Sequence, residues 1–292
     1  MTVHVVGNAT LDLTYRIARF PATGETILCT GRHIGPGGKG LNQAVAAARA
    51  GAQVAFHAPL GRDDAGDRLK SALATEPGLR LHAWYRDGLA SDESSIWLAE
   101  DGENQIVSTA DCARSVTADE VALALAFARS GDILAMQGNL SDLTTAAALA
   151  AGRTAGLVNV VNPAPIGLGL ATLNGCTDVL VVNRVEAAAL GIAPAGQDLG
   201  GFAAAMGGAV IMTLGAETIL FAHPDGTQGA HPVHAVTAVD TTGAGDAFVG
   251  TLCAALDRRA PLAQAIAEAA EAGRQAVLTL GALAGHGTNP NA

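Results

Sequence analysis

A chain of 292 residues, 49% hydrophobic and only 3% aromatic, has the material for one large core or two smaller ones, built from Ala, Val, Leu and Ile against glycine. The net charge of −10 and the absence of a basic block exclude a general nucleic-acid binder, and two lysines, Lys39 and Lys70, leave phosphate handling to backbone N–H groups and arginines. Cys29, Cys112, Cys176 and Cys253 lie far apart, which argues against a disulfide framework or zinc site. With neither a signal-peptide pattern nor an apolar run of about 18 residues, a cytoplasmic protein without a membrane span is expected.

Residues 3–6 read as a short apolar strand ending in Gly7-Asn8, with Asp12 shortly after. Ligands of open α/β sheets sit outside the carboxyl ends of the strands, so Asn8 and Asp12 are candidates for hydroxyl contacts. For Asn8 an Asx-turn that ends the strand is the favoured alternative. Residues 13–34 alternate loosely between Pro21 and Gly24 breaks and read as strands of a small accessory sheet. The run Gly35-Pro36-Gly37-Gly38-Lys39-Gly40-Leu41-Asn42-Gln43 then precedes a helix over 44–50 that stops at Gly51. Its glycines let backbone approach a ligand closely, and Lys39 and Asn42 can donate to hydroxyls or carboxylates. Gly40 after Gly38-Lys39 rules out a Walker loop, and the spacing is not that of a dinucleotide fingerprint.

A strand over 54–59 closes in Gly61 and Asp63-Asp64, and a helix follows over 65–73. Strands are expected at 81–85 and 95–99, with Asp101-Gly102-Glu103-Asn104 as a hairpin turn into 105–107. Together with 13–34 they are expected to form a small sheet beside or over the main one, a lid, with Trp84, Ile96 and Trp97 as lid-core or interface residues. A small sheet leaves edges and one apolar face exposed, so homodimerisation through it is expected.

From about residue 116 the pattern becomes regular: helix 116–129, strand 133–136, helix 143–151, strand 158–161, strand 179–182 and strand 210–213. Alternation at this spacing implies βαβ units and a parallel sheet. Polar residues recur just past strand ends, at Asn139, Asn162, Asn183 and Thr213, with Glu186 three residues beyond Asn183. Each alone is ordinary, but their recurrence marks a cleft along that edge. Segments 219–222 and 229–236 read as an antiparallel pair, and helices over 246–256 and 261–280 precede a loose tail from Gly281. No internal repeat or low-complexity linker occurs.

The stretch Val239-Asp240-Thr241-Thr242-Gly243-Ala244-Gly245-Asp246-Ala247-Phe248 feeds a glycine turn into a helix. Its first N–H groups lack carbonyl partners and point outward at the positive end of the dipole, which makes an anion site. Asp246 at its edge is open to two readings, a cap that neutralises the dipole or a base facing an attacking hydroxyl.

Two stretches, Gly37-Gly38-Lys39-Gly40-Leu41-Asn42-Gln43-Ala44 and Asp240-Thr241-Thr242-Gly243-Ala244-Gly245-Asp246, resemble the two signatures of the ribokinase-like (PfkB) carbohydrate kinases. Asn162-Pro163-Ala164-Pro165, Asn183 with Glu186, and Thr213-Leu214-Gly215 agree in order, and the ribokinase branch is the most similar. The resemblance covers roughly residues 3–282. It implies one domain over 1–292, an α/β fold: a three-layer α/β/α sandwich with a mostly parallel central sheet and lid strands at about 13–34 and 81–108. The activity implied is transfer of the γ-phosphoryl group of ATP to a hydroxyl of a pentose or related sugar. On that resemblance Asp246 is the base, and the N–H groups of Gly243, Ala244 and Gly245 form the anion hole. Thr10, Asp12, Gly38, Lys39, Asn42 and Asn139 line the sugar site. Asn183 and Glu186 lie near the phosphates and magnesium, while Thr213, Gly215 and Gly245 lie by the nucleotide. Asp240, Thr242, Ala276, Thr279 and Gly281 surround a monovalent cation such as potassium.

The chain departs from the ribokinase branch at Asn139, where a sugar-contacting glutamate is usual, at Thr10 for Asn and Leu41 for Ala, at Ala270 on the adenine side, and in ending soon after Gly287. Fructokinase, sugar-acid kinase and nucleoside kinase share the motifs, with Arg16, Arg32 and Arg62 available to a sugar acid. A non-catalytic sugar-binding regulator would have lost Asp246 or the glycine turn, and both are present. A dinucleotide-dependent oxidoreductase would need a glycine fingerprint where Gly7-Asn8-Ala9-Thr10-Leu11-Asp12 stands.

Overall fold

A strand that is apolar on both faces needs a layer of helices on each side. The strands over 158–162 and 179–183 are of this kind. In the computed structural model, which describes residues 1–167, 169–193, 198–234, 236–279 and 281, they lie inside a three-layer α/β/α sandwich.

In chain order the elements are β1 (Val3–Val6), β2 (Thr10–Ile17), β3 (Gly31–Gly37), α1 (Lys39–Arg49), β4 (Val54–Gly61), α2 (Asp64–Leu73), β5 (Leu79–Arg86), β6 (Asp92–Ala99) and β7 (Asn104–Ser108). Then come α3 (Asp111–Arg114), α4 (Ala118–Leu125), β8 (Ile133–Gln137), α5 (Asp142–Ala155), β9 (Val158–Asn162), α6 (Leu170–Leu173), β10 (Val179–Asn183), α7 (Arg184–Ala189) and α8 (Leu199–Met206). The chain continues with β11 (Ala209–Thr213), β12 (Thr218–Ala222), β13 (Gln228–Pro232), α9 (Ala244–Asp257) and α10 (Leu262–Ala276).

Among the described residues the main sheet runs β13-β12-β11-β10-β9-β8-β1-β4-β5, parallel throughout except for β12 and β13. Alternate side chains feed two cores. On β10, Val179 and Val181 join the core beneath α1, α9 and α10, whereas Leu180 and Val182 join the one beneath α5, α7 and α8. From β1 the chain builds outward through β4 and β5, then returns to build the other way from β8. The order therefore reverses between β1 and β8, and a crevice opens there at the carboxyl ends.

The second sheet has the order β3-β2-β6-β7. β2 grows directly from β1, and β3 leads into α1, so the first lid hairpin leaves and returns beside the reversal point, while β6 and β7 are entered from β5 and leave into α3. The β6–β7 hairpin turns at the expected place, with Asp101 accepting from the Glu103 N–H.

Several expectations require correction. The strand at 79–86 is not part of the lid; it pairs in parallel with β4 at the edge of the main sheet. Leu79, Leu81 and Ala83 pack on one core and Trp84 on the other, so Trp84 is not lid core. Alternation identifies a strand but not its sheet; the α2 crossover from β4 decides that. The long helix at 116–129 is instead the short α4, fixed by a capping box between Thr117 and Glu120. α1 starts at Lys39, not residue 44, and the last helix ends at Ala276. The strand expected at 229–236 ends at Pro232. Residue 235, residue 280 and the tail beyond Gly281 lie outside the described residues.

Candidate active site

The site is built by two parallel helices lying side by side, α1 and α9. On α1, Lys39, Asn42 and Gln43 are spaced i, i+3 and i+4, which puts all three on one face. On α9, Asp246 and Gly250 share a face for the same reason. A Cβ on Gly250 would come within 2.4 Å of the Gln43 carbonyl oxygen and 2.5 Å of Ala46 Cβ. Only glycine lets the helices approach this closely. Further along, Arg258 donates to the carbonyl of Ala50, so the pair stays in register over its length.

Both helices begin at glycines with positive φ, Gly38 at 92° and Gly243 at 82°, and neither glycine supplies a side-chain cap. Two positive helix ends therefore meet at one point, that of α9 without a cap and that of α1 with Asn8 accepting two of its N–H groups. At that point the Asp246 carboxylate is 5% exposed. Its Oδ1 accepts from Gln43 Nε2 at 3.0 Å and lies 3.6 Å from Lys39 Nζ, while Oδ2 accepts from Asn42 Nδ2 at 3.3 Å. The N–H of Ala244 is directed at the Thr241 carbonyl at 3.4 Å. Those of Gly245 and Asp246 are the first-turn donors that an α-helix cannot satisfy internally.

Asp12 on β2 has a protein-built environment of its own. Thr10 donates to it at 2.7 Å, Ser94 donates to Thr10 at 3.3 Å, and Ser108 donates to Ser94 at 2.9 Å, a hydroxyl chain running across three lid strands. Burial pushes the Asp12 carboxyl above the usual carboxylate range. The charge of Asp246 adds to this, while the bonds from Thr10 and Ser94 oppose it. Thr10 is itself buried and serves Asp12. Asn8 is an anchor for α1 in place of the Asx-turn favoured from the sequence: its carbonyl accepts from the Leu41 N–H and its side chain from the Gly40 N–H, pinning the start of α1.

On the other side of Asp246, β9 and β10 deliver Asn162 and Asn183. Asn183 caps α7 and Glu186 answers it in a reciprocal capping box. Glu186 accepts from Asn183 and from Asn162 Nδ2. A cavity of about 340 Å³ is lined by Thr213, Gly215, Ala244, Gly245, Phe248 and Ala270 among others, and its wall is mainly apolar. A larger one of about 710 Å³ lies under the lid against Asp12, Arg16, His33, Ile96, Asp240 and Thr242. Ala244 and Gly245 border the first cavity and Asp240 and Thr242 the second, so the turn that leads to Asp246 contributes to both.

Behind the α9 turn, Asp240 accepts from the Thr242 N–H at 2.9 Å and from the Gly281 N–H at 3.0 Å. The Thr279 hydroxyl faces the Ala276 carbonyl at 3.5 Å. The structure thus gathers Asp240, Thr242 and Gly281 into one oxygen-rich turn, with Ala276 and Thr279 at the end of α10 beside it. Among the described residues no group of three or more His, Cys, Asp or Glu could hold a metal by itself. Among the described residues, Asn139 makes no hydrogen bond to those around Asp246. It stands past the end of β8, its Oδ1 is buried without a partner, and neither cavity reaches it. Gln43 and Gln137 are site residues that the sequence reading passed over; placing the start of α1 at residue 44 hid the 39/42/43 spacing.

The pfkB family carbohydrate kinase model matches residues 2–288. The chain belongs to the pfkB family of carbohydrate kinases. This carbohydrate kinase is 32% identical to mouse ribokinase over 259 residues, covering 86% of this chain and 80% of the mouse protein. Its fold matches the crystal structure of ribokinase from Thermotoga maritima with a TM-score of 0.86 and 25% identity, over 97% of this chain and 95% of that one. It also matches ribokinase from Cryptococcus neoformans var. grubii in complex with ADP, with a TM-score of 0.80 and 28% identity, over 98% of this chain and 96% of that one. The carbohydrate kinase is accordingly a phosphotransferase that uses an alcohol group as acceptor.

Proposed function

We propose that this kinase transfers the γ-phosphoryl group of ATP to a hydroxyl of a pentose or closely related sugar, with Asp246 as the base. The observation that carries this reading is the buried Asp246 carboxylate where the starts of α1 and α9 meet, on a turn whose residues line one cavity by Thr213 and Gly215 and another under the lid. The adenine and ribose of ATP occupy the 340 Å³ cavity by Thr213 and Gly215; the Cryptococcus relative's ADP supports this. The acceptor lies under the lid, held by Asp12, Lys39 and Asn42, with its attacking hydroxyl at Asp246.

Phosphoryl transfer passes through a loose transition state, so the hydroxyl gives up its proton late and a weak base such as a carboxylate suffices. The larger stabilisation comes from the N–H groups of the 243–245 turn, which face the charge on the moving phosphoryl group. Lys39 and Asn42 rest on Asp246 and transfer to the acceptor's hydroxyls when it binds. Glu186 and Asn183 are the residues that would hold magnesium, which would offset the charge of the phosphates; a single carboxylate suits an ion shared with phosphate oxygens. The oxygens at Asp240, Thr242, Ala276, Thr279 and Gly281 suit potassium, which would stiffen the turn behind the anion hole.

One lid face leaves Trp97 and Val107 exposed by 39% and 76%, and a homodimer covering that face is part of the reading. No helix among the described residues is long and apolar enough to cross a membrane, and a cytoplasmic site of action is proposed.

ADP production is to be measured against a panel of pentoses, hexoses, sugar acids and nucleosides, with and without potassium. Turnover with a pentose, faster in potassium, is expected. ADP production with none of the panel moves the reading to a non-catalytic sugar binder. Asp246→Asn is expected to lose about 10²–10⁴ in turnover while ATP still binds; near-normal kcat would sink the assignment of the base.

A further inference from the structure

Gln43 is fully buried, and both ends of its amide are engaged. Its Nε2 donates to Asp246 Oδ1 at 3.0 Å and to Asn162 Oδ1 at 3.3 Å, and its Oε1 accepts from Gln137 Nε2 at 2.8 Å. The amide can adopt only this orientation. Turned over, it would set its oxygen against two acceptor oxygens and its NH2 against that of Gln137. Asn162 carries the connection onward, donating to Glu186 Oε2 at 3.3 Å and to the Val181 carbonyl at 3.1 Å.

Gln137 is oriented by its donation to Gln43, while its own Oε1 is buried without a partner. It ends β8 at the point where the strand order reverses, and its Oε1 lies where a Cβ on residue 7 would be, only 2.1 Å from that position. Gly7 leaves the room. A rigid chain therefore runs from the sheet's reversal point through Gln137 and Gln43. There it forks, to Asp246 on one side and through Asn162 to Glu186 on the other.

We propose that Gln43 is a positioning residue for phosphoryl transfer, holding the Asp246 and Glu186 carboxylates in fixed relation across the reaction path. Gln43 touches neither acceptor nor nucleotide; it acts through Asp246 and Asn162. The inference rests on the reading of Asp246 as the base. Lys39 and Asn42 can leave Asp246 for the acceptor, whereas Gln43 is tied by its other two bonds and keeps the carboxylate oriented after they have left. Misplacing a reacting group by about 1 Å can cost about 100-fold in rate.

The test is a double-mutant cycle on the full chain, with ATP and the panel acceptor that turns over fastest. Gln43→Met keeps the length of the side chain without its polar atoms, and thermal melting verifies that each variant is folded. Alone, it is expected to lower kcat about 10- to 100-fold with KM for ATP and acceptor changed less than about 3-fold. In the Asp246→Asn background the same change is expected to cost less than about 3-fold, because there is no base left to orient.

Gln43→Glu supplies the second readout. It keeps the oxygen facing Gln137 but sets an oxygen against Asp246. Ionised, it is expected to be nearly inactive; protonated, it again donates, so its activity relative to the unsubstituted enzyme should rise as pH falls from about 8 to about 6. If Gln43→Met costs the same with and without Asp246, or is silent alone, or if Gln43→Glu shows the parent pH profile, Gln43 does not position the base. If Asp246→Asn itself keeps near-normal kcat, or no panel acceptor turns over, the underlying reading fails and the proposal falls with it.

Discussion

Asp12 and Asp246 illustrate how a single carboxylate is placed at a cost to stability. Asp12 is held under the lid with one hydroxyl donor, in sight of the negative Asp246, and its carboxyl is raised above the unfolded value of 3.8. The native state therefore binds the Asp12 proton more tightly than the unfolded chain. The stabilising contribution is full below the unfolded value and is lost as pH rises through the folded one. At neutral pH the ionised group thus destabilises the fold. Asp12→Asn keeps the oxygen that Thr10 donates to and removes the charge. It is expected to raise the melting temperature at pH 7, by roughly 2–4 °C for each kcal/mol recovered, and to raise KM for the sugar at least tenfold if Asp12 binds the acceptor. A variant that melts lower with sugar affinity intact would contradict both halves. That Asp12 mattered was legible from its place after the first strand, but its Thr10–Ser94–Ser108 support was not, because those hydroxyls come from strands 84 and 98 residues further along the chain.

At the scale of the element, the pairing of α1 with α9 makes the site. Each helix is alanine-rich and would pack acceptably on a sheet anywhere; Gly250 determines how near the two approach. Gly250→Ala forces its methyl against Gln43 and Ala46 and pushes the helix starts apart. Overpacking of this kind is expected to cost about 1–3 kcal/mol in urea unfolding. Because Asp246 lies one turn before Gly250, kcat should fall with it, while Gly245→Ala, whose Cβ meets nothing within 4 Å, should be the milder change in stability. Unchanged stability and kcat in Gly250→Ala would show that helix spacing is not limiting. The second signature marked the start of α9 in the sequence because glycines and a following apolar run define it. The start of α1 was not recognised, since Gly40 reads as loop: its place in a helix depends on contact with the Asn8 backbone, a tertiary effect that outweighs propensity.

For the whole molecule, the strands β8 to β11 were legible almost to the residue, because continuous apolar runs closed by Asn and Thr admit little else, whereas α6 and α8 between them were not read. The membership of β5 was not, since its alternation fits either sheet. That placement has a consequence for pH. β5 brings His82 beside His57 of β4 and His4 of β1, three rings stacked across neighbouring strands with centroids 4.7 Å and 6.0 Å apart. Burial, followed by the neighbouring histidines, holds His57 down at about 3, and burial also lowers His4 and His82. His4 is partly relieved by Asp132 at 3.5 Å, and His82 is further disfavoured as a cation by Arg80. In the unfolded chain all three titrate near 6.5, so the unfolded state binds the extra protons first. The contribution to stability is present above pH 6.5 and is lost as pH falls from there toward 3, by about 1.4 kcal/mol per pH unit for His57 alone. Most carboxylates do not begin to protonate until below this range, so the window from about pH 6.5 to 4.5 isolates the histidines. Melting temperature should decline across that window at fixed ionic strength, and His57→Leu should flatten the decline while leaving kcat at pH 7.5 within about twofold, since the stack lies on the sheet away from Asp246. A slope equal to that of the unsubstituted protein would show that the stack stays neutral without influencing the fold, and would move the acid sensitivity to the surface carboxylates.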